Sequence, residues 1–148
     1  MSGSEIYVTP DFVRLYVRDS IENNKLLRAL QFPDENIIQC RNLALLSYNA
    51  VTPISNVTFE TFPNQVLLLY GTLYHLFNGV AASAARNELN YSDAGITVNI
   101  EDKVNYYSQL ASNYLNQFQS MVQQFKIQQN LESGYDYVSS DYGYFPAW

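Results

Sequence analysis

The stretch NIEDKVNYYSQLASNYLNQFQSMVQQFKIQQNL, residues 99–131, decides the fold of this chain. Its apolar residues recur at alternating steps of three and four, which is the spacing of one helix face. This seam consists of Val104, Tyr107, Ala111, Tyr114, Phe118, Met121 and Phe125. Asn99 and Asp102 stand at its start, where they can form a capping box. We therefore predict one long helix from Asn99 to Leu131.

The faces outside this seam carry amides such as Gln109, Gln117 and Gln123 instead of charges. A solvated helix usually carries Glu and Lys pairs. The uncharged polar faces therefore favour contact with other protein. The alternative interpretation is the last core helix of a small bundle with a glutamine-rich exterior.

The composition predicts one domain that does not bind nucleic acid. The chain has 148 residues, 47% of them hydrophobic, and a formal net charge of -6. This length supports one compact core, and an acidic surface does not attract phosphates, although DNA could pass it without being retained. Cys40 is the only cysteine, so no intrachain disulfide can form. Residues 1–5 do not predict a signal peptide.

Local start and stop signals predict two earlier helices. Thr9-Pro10-Asp11 is typical of a helix N-terminus, and that helix should continue to about Arg18. A second helix is predicted from Asp34 to Asn49, before Pro53 ends the pattern. Residues 51–62 should form an extended loop or a short edge strand.

The segment from Val66 to Ala85 contains no charged residue and is long enough to cross a membrane. The small residues Gly71 and Gly79 favour close packing against protein instead. We predict the buried central helix of a bundle, paired antiparallel with the long helix. His75, the only histidine, is expected to be a hydrogen-bonded core residue.

Residues 96–100 alternate between apolar and polar side chains, which predicts a short strand or extended arm. From Glu132 to Trp148 glycines, serines and Pro146 disfavour a helix, and we expect an extended tail. Disordered segments contain few aromatic residues, whereas interfaces are rich in them. The tail is therefore predicted to dock on a partner through Tyr135, Tyr137, Tyr142, Tyr144, Phe145 and Trp148.

The predicted fold is mainly α. It is a small helical bundle built on a long antiparallel helix pair, with a short β arm and an extended C-terminal tail. Residues 1–131 form the bundle domain, and residues 132–148 form the aromatic docking tail.

No group of residues predicts catalysis, a cofactor or a metal. One histidine and one cysteine cannot form a zinc site by themselves, and no phosphate-binding glycine loop or Gly-x-Ser-x-Gly motif is present. Cys40 lies on a helix without a nearby histidine, which favours a packing residue over a nucleophile. We predict that the chain is not an enzyme.

Several short motifs resemble the helical neck, or head-to-tail connector, proteins of tailed bacteriophages. They are the run RNELNYSDAG at residues 86–95, Glu101-Asp102-Lys103, Tyr106-Tyr107, and Phe62-Pro63 before the apolar helix. Ala94 stands where a second glycine is common in such proteins.

The resemblance implies a non-enzymatic virion subunit, made in the host cytoplasm and placed in the neck at the head-tail junction. Such a subunit would belong to a homo-oligomeric ring, expected to be twelvefold, that binds the portal protein and other neck or tail proteins. DNA would pass through its channel without specific binding, and no membrane would be involved. Two alternatives stay open: a membrane-inserted subunit that uses Val66 to Ala85, and a small-molecule-binding bundle with His75 in its pocket.

Overall fold

The computed structural model describes residues 8–86, 92–93, 96–97 and 101–141. The described part of the chain is mainly helical, as predicted. Its elements are α1 (Pro10–Val17), α2 (Asp34–Ala50), α3 (Gln65–Arg86), β1 (Ser92–Asp93), β2 (Ile96–Thr97) and α4 (Glu101–Asp141).

Helices α3 and α4 pack antiparallel along their length, as predicted. Tyr70 stacks on Tyr114 near the start of α3, whereas Phe77, two turns later, stacks on both Tyr114 and Tyr107. Residue numbers therefore rise along α3 while those of its partners fall along α4. This hairpin carries most of the core.

The apolar segment of the sequence forms the central helix of this bundle. Leu67, Leu68 and Leu73 of α3 are fully buried, and α2 and α4 pack on two of its sides. By length and composition alone, α3 could also cross a membrane, but half of its most apolar window is buried inside the protein. The prediction of a buried central helix is confirmed.

The start of α1 also agrees with its sequence signal. The side chain of Thr9 accepts a hydrogen bond from the amide of Phe12 at 3.2 Å, and Pro10 is the first helical residue. The guanidinium of Arg14 then donates to the carbonyl of Phe32 at 3.0 and 3.2 Å and forms an ion pair with Asp34. These bonds fix α1 against the start of α2.

Residues 51–62 form a loop without a strand, and the side-chain amide of Asn49 holds this loop by hydrogen bonds. The side chain of Asn49 donates to the carbonyl of Val57 at 3.0 Å and accepts from the amide of Val57 at 3.1 Å. It also accepts from the hydroxyl of Ser55 at 3.0 Å. The prediction of an extended loop is confirmed.

The predicted end of the long helix is wrong. Helix α4 continues past Leu131 to Asp141, so the tail predicted to be extended from Glu132 onward is helical over its first ten residues. Gly134 and Val138 are weak helix formers, but a helix that is already nucleated gains one hydrogen bond for each residue it adds. Residues 142–148 and the predicted cap at Asn99 lie outside the described residues.

The short β arm is not established. Residues 92–93 pair antiparallel with residues 96–97, so that Asp93 faces Ile96 in a minimal hairpin. Residues 98–100, which complete the predicted arm, lie outside the described residues. The arm therefore stays a prediction.

Candidate docking surfaces

The polar groups that could support catalysis are dispersed in the described residues. These residues contain no group of three or more His, Cys, Asp or Glu that could hold a metal ion. Nε2 of His75 lies 3.2 Å from the hydroxyl of Ser47, and burial lowers the pKa of the imidazole. His75 is thus hydrogen-bonded, as predicted, although it is only half-buried and borders a groove.

This groove lies between α2 and α3 and has a volume of about 620 Å³. It is open to solvent, and its wall includes Gln31, Asn36, Gln39, Cys40, His75 and Ser83. Burial raises the pKa of the Cys40 thiol, which disfavours the reactive thiolate. Cys40 also packs against the core, in agreement with its predicted packing role.

A second surface is formed by residues 20–30, which we call the leucine loop. Leu26 is 96% exposed, Leu27 62%, Ile21 59% and Leu30 45%. Isolated exposed leucines are common on proteins, but contiguous apolar patches usually mark interaction sites. The loop has the composition of a docking surface.

The leucine loop is anchored by one buried carboxylate. Asp19 is 7% exposed, and its two oxygens accept from the backbone amides of Gln31 at 2.8 Å and Phe32 at 3.0 Å. The side chain of Asn24 donates to Asp19 and also to the carbonyl of Ala29 at 2.9 Å. The exposed leucines are therefore held on an ordered backbone, which lowers the entropic cost of binding a partner.

We expect Asp19→Ala to lower the free energy of unfolding by about 2 kcal/mol, because the buried amide of Phe32 loses its acceptor. Amide hydrogen exchange should rise mainly in residues 20–32. Glu22→Gln is the control, since Glu22 is exposed and lies in the same loop. Unchanged exchange in the loop of the Asp19→Ala variant would contradict the anchoring role.

Helix α1 also exposes apolar side chains. Phe12, Leu15 and Tyr16 are between 42% and 67% exposed. Tyr16 interacts with Tyr114 of α4, and burial together with the neighbouring tyrosines raises the pKa of Tyr114 to about 12. Helix α1 therefore lies beside the first half of α4.

A third surface is the last part of α4, residues 127–141, which we call the helix extension. Among the side chains of α4 that the structure describes, which end at Gly134, the last buried one is Lys126, at 2% exposure, and every residue from Ile127 to Gly134 is exposed. Ile127 and Leu131, one turn apart, are 60% and 55% exposed. The extension spans about 22 Å at 1.5 Å per residue.

The predicted partner-binding residues fall at and beyond this extension. Tyr135 and Tyr137 belong to α4, but their side chains lie outside the described part of the chain. Tyr142, Tyr144, Phe145 and Trp148 also lie outside it. Their role in binding stays a prediction.

Sequence reasoning missed the leucine loop as a site. Leu26, Leu27 and Leu30 have the spacing of a short helix or turn, and this spacing does not by itself predict an exposed loop. The signal in the sequence was the pair Asn23-Asn24 between the charged residues Glu22 and Lys25. Asparagine favours turns over helices, and charged side chains are usually exposed.

Comparison of the chain with protein families, with characterised proteins and with solved structures finds no match in any of the three.

Proposed function

We propose that this chain is a structural subunit of a homo-oligomeric ring in the neck of a tailed bacteriophage. In this role the ring connects the portal protein to other neck or tail proteins and lets DNA pass. The chain is made in the host cytoplasm and resides in the virion. The resemblance of its short motifs to connector proteins suggests this role, and the surfaces described above support it.

The helix extension is the observation that carries the proposal. The extension continues a helix that is already nucleated, so propagation accounts for its backbone, but packing within one molecule does not cover its described side chains, residues 127–134. The extension includes Gly134 and exposes Ile127 and Leu131, so its own sequence stabilises it poorly. A helix of this kind is best explained by a protein partner that covers it.

The distribution of charge is compatible with a passage for DNA. The net charge of -6 gives no sequence-independent attraction to phosphates. A channel wall of this kind repels DNA weakly and does not retain it. The amide-rich faces of α4, including the exposed Gln117 and Gln123, offer hydrogen bonds to neighbouring protein without the cost of burying charge.

The test uses the full chain and portal rings purified from the phage that encodes it. We expect electron microscopy to show the chain as a ring bound to the portal ring. A variant in which Tyr142, Tyr144, Phe145 and Trp148 are all changed to serine should keep its helical circular dichroism and lose portal binding. The control is Tyr106→Ser, an exposed tyrosine at the opposite end of α4. A full chain that never binds portal rings would overturn the proposal.

Two observations support alternatives. Helix α3 is long and apolar enough for a membrane-inserted subunit, which should partition into detergent when the chain is expressed alone. The groove beside His75 could hold a small molecule in a binding bundle, and His75→Ala should then abolish that binding. Full solubility without detergent and an unaffected His75→Ala variant would remove them.

A further inference from the structure

The helix extension carries three acids and no base. Glu132, Asp136 and Asp141 lie along it, and no lysine or arginine follows Lys126 in the sequence. The C-terminal end of a helix also carries a partial negative charge from the aligned peptide dipoles. Two extensions placed side by side would therefore repel each other, so the partner of this surface should be basic.

The leucine loop and its border carry the opposite charge. Arg18, Lys25 and Arg28 are all exposed, and they are three of the eight basic residues of the chain. Lys103 of α4 borders the same cavity as Lys25. Two acids lie in or next to the same loop. Glu22 is exposed, whereas the carboxylate of Asp19 accepts hydrogen bonds from the backbone amides of Gln31 and Phe32.

The two surfaces also match in their apolar parts. The extension presents Ile127 and Leu131 on one side, and the sequence continues their spacing with Tyr135 and Val138. The leucine loop presents a cavity of about 520 Å³ whose lining includes Leu26, Leu27 and Tyr107. The exposed Ile127 and Leu131, on a helix segment whose only charged residues are acids, thus have a counterpart in a cavity that Leu26, Leu27 and Tyr107 line together with the bases Lys25 and Lys103. Complementary charges of this kind favour a specific contact.

These surfaces cannot meet within one molecule. Lys103, which borders the loop cavity, and Ile127, where the extension begins, lie on the same helix about 36 Å apart at 1.5 Å per residue. Only a second copy of the chain can bring one surface to the other. Because the two surfaces differ, the contact is head-to-tail, and a head-to-tail contact closes into a ring when its rotation permits.

We propose that the helix extension of one copy docks on the leucine loop of the next copy through Ile127, Leu131 and the acids of the extension. This contact rests on the proposed function, because it supplies the subunit contact of the proposed ring. Residues 142–148 remain available for the portal protein.

The contact is tested in the full chain by reversing the charges of the two surfaces, first separately and then together. We expect sedimentation of the wild-type chain to show assembly that weakens as salt rises, because salt screens the facing charges. Lys25→Glu with Arg28→Glu should raise the dissociation constant at least about tenfold, and so should Glu132→Lys with Asp141→Lys, because the helical period places these two acids at either side of the face that holds Ile127 and Leu131. A chain that carries all four substitutions should recover assembly.

The control is Gln119→Lys with Gln123→Lys, which adds lysines to exposed positions on α4 before the extension. Circular dichroism should show that every variant keeps its helices. The contact would be overturned if neither pair of charge reversals changed the dissociation constant. It would also be overturned if the chain with all four substitutions assembled as weakly as the two double variants. A chain that remains monomeric at high concentration in low salt would also overturn it. Binding of portal rings would in either case leave the proposed function standing.

Discussion

Gly71→Leu should lower the free energy of unfolding by about 3 kcal/mol or more, because it forces a side chain into a filled helix crossing. Gly71 lies in the second turn of α3, between α2 and α4. A Cβ atom at this position would lie 2.8 Å from the Cβ of Ala44 and 2.7 Å from Cε2 of Phe118. Both distances are shorter than carbon atoms tolerate, so at least one neighbouring helix must move.

The smaller substitution separates packing from helix propensity. Gly71→Ala gains about 1 kcal/mol of helix propensity and loses more to the clash, for a net destabilisation of about 1–2 kcal/mol. Gly79→Ala is the matched control in the same helix, since no atom lies within 4 Å of its added Cβ. It should stabilise the bundle by about 0.5–1 kcal/mol. Urea titrations of the three variants measure these differences, and equal effects at the two glycines would contradict the crossing geometry.

The helix starts could be predicted because their signals are local. The hydroxyl of Thr9 and the ring of Pro10 act within one turn, and α1 begins where they place it. Helix α2 likewise begins at Asp34, directly after Pro33. The seam of α4 could be predicted for a related reason, since a helical period depends only on spacing along the chain.

The features that were missed depend on residues distant in sequence or on cooperativity. Asp19 anchors the leucine loop by accepting from amides 12 and 13 residues away, and no local pattern reports such a bond. The end of α4 was placed at Leu131 because glycine and serine residues follow it. Propagation from 31 preceding helical residues outweighs those weak propensities. The surface that carries the proposed function was therefore the part least accessible to pattern reasoning.

The length of α4 connects the fold to the proposed function. In the part of α4 whose side chains the structure describes, the buried residues run from Ala111 to Lys126. Residues 127–134, the described side chains beyond that point, are all exposed, and the apolar Ile127 and Leu131 among them face water. That arrangement is unfavourable in a monomer and favourable in an assembly, where a partner removes the same surface from water.

Lys126→Glu should be among the most destabilising single changes, at about 3–5 kcal/mol. Lys126 is only 2% exposed, and its Nζ donates to the carbonyl of Pro53 at 2.8 Å and to the hydroxyl of Ser55 at 2.7 Å. Nζ also lies 4.3 Å from the ring centroid of Tyr48, where the electron-rich face attracts a cation. A carboxylate would meet a carbonyl oxygen and the same ring face, both of which repel it.

Two further variants separate charge from length. Burial lowers the pKa of Lys126, so the buried ammonium already carries a desolvation cost that an apolar side chain avoids. Lys126→Met keeps the length, loses both hydrogen bonds and should cost about 1–2 kcal/mol. Lys103→Glu is the control, because Lys103 is exposed and lies in the first turn of α4. It should raise the free energy of unfolding by about 0.3–1 kcal/mol, since acids are favourable at a helix N-terminus. Denaturant titration measures all three, and a Lys126→Glu variant as stable as Lys126→Met would show that the ammonium does not hold residues 53–55 against α4.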